Sequence, residues 1–240
     1  MTQPADDSTA LPFADVSALQ PARRLSALQP LSALAPVGTR PGNYVRSIFH
    51  VVSGAISIVM IRLMPSRTWL IAAAAAFVIA AWSMETARRF SVAANDRMMR
   101  FFGPVAHAEE RHRVNSSTWY VTALLILAAF ATSQAAELGV LILALADPAA
   151  GYIGRRFGRI PLRAKRSLEG TLTFLVIGAV AAFAWLSLTS ALPVSSIAVL
   201  AFGGATVGAL AELWSTHLDD NFTIPIAAAS AVAALQHTLP

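Results

Sequence analysis

Asp147 ends an apolar run, LGVLILALA, and begins the stretch in which this chain could do chemistry. Gly151, Gly154 and Gly158 follow at spacings of three and four, six basic residues crowd positions 155–166, and the stretch closes on Glu169 and Gly170. An acid, backbone free of Cβ atoms and dense positive charge are what holding a metal-bound polyphosphate requires. A divalent cation takes carboxylate oxygens. Phosphates take close backbone approach and positive charge. The same basic residues would serve equally as a membrane anchor, but an anchor does not need the glycine spacing.

The elements that carry this stretch are membrane spans. Of the 240 residues, 56% are hydrophobic and 13% charged, against about 25% charged in a soluble domain; mean hydropathy is +0.59. Cysteine is absent, which excludes disulfides, thiolate metal sites and cysteine nucleophiles. The expected fold is all-α: a polytopic membrane bundle of about seven transmembrane helices after a disordered N-terminal tail. The tail, residues 1–44, repeats SALQP at 17–21 and 26–30, is rich in proline and has no apolar run long enough to span. Residues 45–240 form the membrane domain, with spans at 45–63, 68–84, 116–134, 136–150, 170–190, 194–214 and 223–238. Arg46 and His50 share a face at the start of the first. Trp69 and Trp82 suit the interfaces, residues 98–102 a short interfacial piece, and Asn115, Ser116, Ser117 and Thr118 helix caps. Pro148 has no N–H to give, so a break or kink is expected after Asp147, leaving 151–167 as a polar loop.

Charge distribution orients the bundle. With the amino end inside, sixteen of eighteen basic residues fall on the inner side, counting Arg46 with the tail; only Arg62 and Arg67 fall outside. That asymmetry predicts a cytoplasmic N-terminus and an outer C-terminus. It collects Asp147, the glycines, Lys165, Glu169, Glu212, Asp219 and Asp220 at the cytoplasmic face, where nucleotides are. Carboxylates at a membrane are functional candidates by default. The high pI does not point to nucleic acid, because the basic residues sit in short loops between spans. No Walker or Rossmann sequence is present. Arginine and alanine dominance suggests a GC-rich bacterial source, hence an inner membrane.

Asp147, Ala150, Gly154, Gly158, Lys165, Ser167, Glu169 and Gly170 together resemble the nucleotide-binding motif of the CTP-dependent lipid kinases, which include dolichol kinase, yeast-type diacylglycerol kinase and phytol kinase. That motif reads D-x-x-A-x-x-x-G-x-x-x-G, a spacer, then K-K-T/S-x-E-G. Arg166 stands where a second lysine is common, and the spacer is shorter here. Three further elements are similar in order: Arg46, His50 and Gly54 to an early basic-x-x-x-His-x-x-x-Gly element, Glu85 and Arg88 to a Glu-x-x-Arg element, and residues 212–225, with Glu212, Asp220, Asn221 and Pro225, to a Glu…Asp-Asn-x-x-Pro ending. The resemblance covers all but the tail.

It implies an integral membrane phosphotransferase that uses CTP with Mg²⁺ to phosphorylate a lipid alcohol: a polyprenol, phytol, geranylgeraniol or diacylglycerol. Asp147, Glu212 and Asp220 would be metal ligands. Ala150, Gly151, Gly154, Gly158, Ser167, Glu169 and Gly170 would line the nucleotide, with Arg155, Arg156, Lys165 and Arg166 neutralising phosphate. Asp147, Asp220 or His50 would be the base, with Arg46, Glu85, Arg88 and Asn221 around the site. The alternatives are a CTP:phosphatidate cytidylyltransferase, whose usual ending is missing here, and a transporter or scaffold, whose sites lie at mid-membrane rather than at one face.

Overall fold

The computed structural model describes residues 44–102, 114–163, 166–216 and 218–239. The expected tail, apart from Tyr44, and Lys165 lie outside the described residues. Among those residues the chain is helical: α1 Tyr44–Leu63, α2 Arg67–Phe90, α3 Val92–Phe102, α4 Ser116–Phe130, α5 Ser133–Phe157, α6 Leu168–Thr189, α7 Val194–Trp214 and α8 Asp220–Gln236. All seven expected spans are present as helices, and α3 includes residues 98–102, expected as a short amphipathic piece. Five helices (α1, α2, α5, α6 and α7) are long and apolar enough to cross a membrane, and α4 is a shorter apolar helix.

The exposed faces are the apolar ones. Along α1, Val45, Ile48, Val52, Ile56, Val59 and Leu63 point outward at helical spacing, while Gly54, Ser57 and Ile58 are buried. This arrangement suits hydrocarbon rather than water as solvent.

Helix α5 is the axis of the bundle: more than half of its apolar length is buried, whereas that of α2 is almost entirely unburied. It packs against α1, α6, α7 and α8, whereas α2 packs on α3 and α4. Small residues set the spacing. A Cβ on Gly54 would strike Ala144 of α5, and one on Gly139 would strike the Pro225 carbonyl of α8, so these helices meet backbone to backbone. Into that frame pack Leu138, Ile142, Phe174, Leu186, Leu200, Ile224 and Val232.

Side chains start most helices. Ser66, Asn115, Thr132, Ser167 and Asp219 accept N–H bonds at the starts of α2, α4, α5, α6 and α8, satisfying donors that have no partner within the helix.

Of the break or kink expected at Pro148, the break does not occur. Helix α5 runs 25 residues, through Pro148, to Phe157, about 37 Å at 1.5 Å per residue. Pro148 removes one backbone bond, but packing on four neighbours holds the helix beyond it. Gly151 and Gly154 are therefore helical, Gly158 is the C-cap, and the expected loop shrinks to a tight connection. In that connection Leu162 N–H donates to the Arg166 carbonyl at 2.8 Å and Leu168 N–H to the Ile160 carbonyl at 2.9 Å.

Candidate active site

Three helices and the α5–α6 connection bring one cationic and three acidic side chains together. Arg166 lies between α5 and α6; its Nη1 reaches Glu212 Oε1 of α7 at 3.0 Å, and its Nη2 donates to Asp220 Oδ2 of α8 at 2.8 Å. Burial opposes the Arg166 charge, but Glu212, then Asp220 and Asp147, hold its affinity for the proton above the usual arginine value. Asp147, half-buried on α5, is the third acid of the group. From α1, His50 and Arg46 lie close enough for their charges to act on Asp147 and Asp220.

Glu212 is the deepest member, with its side chain 3% exposed. Its Oε2 is buried and has no hydrogen-bond partner among the described residues, as is Thr171 Oγ1 in the first turn of α6. Such an atom stands out, because buried polar groups are almost always paired. A carboxylate oxygen of this kind suits a cation. Mg²⁺ usually takes one or two protein carboxylates and completes its shell with water and substrate phosphates. The described residues hold no ready-made group of three or more His, Cys, Asp or Glu ligands, so a cation here would depend on oxygens brought by a nucleotide.

The glycine motif does a different job from the one its spacing suggests. Gly151 and Gly154 sit in a helix interior, where N–H groups bond within the helix, and Gly158 N–H donates to the Gly154 carbonyl at 3.1 Å. They do not form a backbone cradle. Instead Gly154 and Gly170 let α5 and α6 touch, since a Cβ on Gly170 would lie 3.1 Å from the Ala150 carbonyl and 3.3 Å from Gly154 Cα. Ser167 wedges between them, its Oγ accepting Gly170 N–H at 3.2 Å. Glu169 closes the turn by accepting Ile160 N–H at 3.3 Å. Ala150, Gly154, Gly158, Ser167, Glu169 and Gly170 thus form the joint that presents Arg166. Arg155 folds back beside Gly151, and the exposed Arg156 lies over Phe157, 5.7 Å from its ring centre.

Glu85 and Arg88 pair with each other. Arg88 Nη2 and Nε donate to Glu85 Oε1 and Oε2 at 2.7 and 2.9 Å, both side chains almost fully buried. Glu85 Oε2 also accepts Asn115 N–H at 3.3 Å. Asn221 is buried against its own neighbour, Nδ2 donating to Asp219 Oδ1 at 2.7 Å.

Sequence reasoning treated Ser116 only as a capping candidate. Its Oγ donates to Asp219 Oδ2 at 2.8 Å and accepts from Arg46 Nη2 at 3.4 Å. Burial, then the charge of Asp220, pushes Asp219 up to about 6, against its bonds from Ser116 and Asn221. Glu137 was also missed. At the other end of the bundle it is buried and accepts from Arg62 Nη2 and Trp185 Nε1, both at 2.8 Å. Neither residue belongs to a local pattern; each acquires its role from residues far away in sequence.

Three curated proteins are similar to this chain, each a "CTP-dependent diacylglycerol kinase 1". The Saccharomyces cerevisiae protein is 26% identical over 149 residues, 53% of this chain and 50% of its own length. The Eremothecium gossypii protein is 28% identical over 149 residues, 53% of this chain and 46% of its own. The Schizosaccharomyces pombe protein is 30% identical over 154 residues, 59% of this chain and 70% of its own. The chain therefore spans about half the length of the first two. No family model matches the chain, and no solved structure matches it.

Proposed function

This chain belongs to the family of CTP-dependent lipid kinases, and on that premise we propose that it transfers the γ-phosphoryl group of CTP to the hydroxyl of a membrane lipid alcohol. The observation that carries the reading is the cluster of Asp147, Arg166, Glu212 and Asp220, built from separate elements at one end of an apolar bundle. Such a group offers positive charge to phosphates and acid oxygens to a cation. Relatives named for diacylglycerol make that lipid the first acceptor to test, with polyprenols, phytol and geranylgeraniol next.

Phosphoryl transfer is mainly positioning and charge stabilisation. Arg166 supplies a planar fork suited to phosphate oxygens, with Lys165, Arg155 and Arg156 close to it in sequence. Mg²⁺ would draw its protein oxygens from among Asp147, Glu212 and Asp220, which form no ready-made ligand set, with nucleotide oxygens completing its shell; when bound it would offset charge on the nucleotide's phosphates. The lipid oxygen attacks the γ-phosphorus, the bond to the β,γ-bridging oxygen breaks, and CDP leaves. The hydroxyl proton passes to Asp147, Asp220 or His50, the groups of the cluster able to accept one. The inward bias of basic residues supports a cytoplasmic site, an inner N-terminus and an outer C-terminus; arginine and alanine richness supports a bacterial inner membrane.

The test uses the purified chain in vesicles with each lipid alcohol and CTP labelled at either the α or the γ phosphorus. Label entering lipid from γ alone supports the kinase. Label entering phosphatidate from α means cytidylyl transfer, and no transfer to any acceptor favours a transporter or scaffold.

A further inference from the structure

Asp220 is the first residue of α8, so its place beside Arg166 depends on how that helix begins. Asp219 caps it: Oδ1 accepts the N–H and the side-chain Nδ2 of Asn221, at 2.9 and 2.7 Å. The other carboxylate oxygen, Oδ2, is held from outside α8 by the hydroxyl of Ser116, the first residue of α4. Ser116 in turn accepts from Arg46 of α1.

The start of α4 has its own anchor. Asn115 accepts Ser117 N–H through Oδ1 at 2.8 Å, while its backbone N–H is taken by Glu85. Glu85 is clamped by both forks of Arg88, whose Nη1 also donates to Asn95 Oδ1 of α3 at 3.2 Å. Two helix N-termini are thus joined in series. A buried ion pair fixes the cap of α4, and the next residue of α4 fixes the cap of α8.

We propose that Ser116 is a positioning residue for phosphoryl transfer, coupling the Glu85–Arg88 pair and Arg46 to the first turn of α8 and so setting Asp220 against Arg166. The proposal rests on the kinase reading above and gives Glu85 and Arg88 a role through α4 rather than through contact with the nucleotide. The effect of Ser116 passes through Asp219, whose carboxylate its hydroxyl holds. A misplacement of about 1 Å at a reacting group can cost on the order of a hundredfold in rate, so one lost hydroxyl at the second cap has a measurable consequence.

The experiment compares Ser116→Ala, Ser116→Thr, Glu85→Gln and the Ser116→Ala/Glu85→Gln double variant in vesicles. It reads kcat, KM for CTP, the Mg²⁺ concentration for half-maximal rate and the unfolding midpoint. Loss of the hydroxyl is expected to lower kcat about tenfold, a change of about 1.4 kcal/mol, to raise the Mg²⁺ requirement, and to leave the midpoint close to wild type. Threonine, which keeps the hydroxyl, restores most of the rate. The double variant is expected to be no worse than the poorer single variant, because both act on one chain of contacts. Independent, multiplying losses would overturn the proposal. So would an alanine variant with unchanged kcat and Mg²⁺ requirement, or one whose rate falls only in step with its stability. Wild-type protein inactive on every lipid alcohol would overturn the kinase reading, and the positioning role with it; an active wild type with an unaffected Ser116→Ala variant rejects the positioning role alone.

Discussion

Replacing Arg166 by glutamine removes the cation that two acids share, and the geometry sets the size of the effect. The Glu212 side chain is 3% exposed, with one oxygen on Arg166 Nη1 and the other without a partner among the described residues. Stripping the partner from a buried ion pair costs about 3–5 kcal/mol, since the remaining charge is stranded. Arg166 and Asp220 are 27% and 25% exposed, so water relieves part of the loss, and their bond adds about 1 kcal/mol at most. We expect Arg166→Gln to lose about 3 kcal/mol, the lower end of that range. Adding Glu212→Gln removes the stranded charge and should restore at least half, giving a coupling of about 2 kcal/mol in a double-mutant cycle. Equilibrium unfolding in mixed micelles, followed by the fluorescence of the five tryptophans, measures both. Arg166→Lys should behave as an intermediate, because an ammonium lacks the planar fork that spans two carboxylates. Wild-type stability in Arg166→Gln, or no recovery on adding Glu212→Gln, would refute the picture of Arg166 as the keystone of the cluster.

Other perturbations test separate parts of the account. Gly158→Ala drives a Cβ into the Gly154 carbonyl and the Ser167 hydroxyl; overpacking of this kind costs about 1–3 kcal/mol, seen as a lower unfolding midpoint together with weakened CTP binding. Glu137→Gln loosens the contacts of Arg62 and Trp185 at the far end and should cost about 1–2 kcal/mol while leaving KM for CTP unchanged in the vesicle assay. The chain has no cysteine, so single cysteines at positions 65 and 92 report topology without background. In sealed vesicles of known orientation, an impermeant maleimide should label Pro65→Cys from outside and Val92→Cys only after permeabilisation.

The spans were legible because they are local properties: an apolar run of sufficient length needs no partner to be recognised. Their polar ends were legible for the same reason, and three of the acids expected together, Asp147, Glu212 and Asp220, gather around Arg166. The course of α5 was not. Pro148 and three glycines read locally as breakers, yet packing against α6 through Gly170 and Ser167 keeps the helix intact to Phe157. The glycines signalled close approach, and at Gly154 the approaching groups are Ser167 and Gly170 at the start of α6. The division of labour among polar residues was also hidden. Glu85 and Arg88 have the same residue types as the central cluster, and only the fold shows that they hold the start of α4. Ser116 and Asp219 are 103 residues apart, and no spacing rule joins them.

The most direct measurement is phosphoryl transfer by Asp147→Asn beside the wild type, in vesicles containing the lipid acceptor, CTP and Mg²⁺. The substitution keeps shape and removes the charge that Asp147 contributes to the cluster. Wild-type protein should transfer the γ-phosphoryl group to lipid, and the variant should insert, unfold at a similar midpoint and show no transfer above background. Full activity in a properly inserted Asp147→Asn variant would contradict the claim that this cluster is where the chemistry occurs.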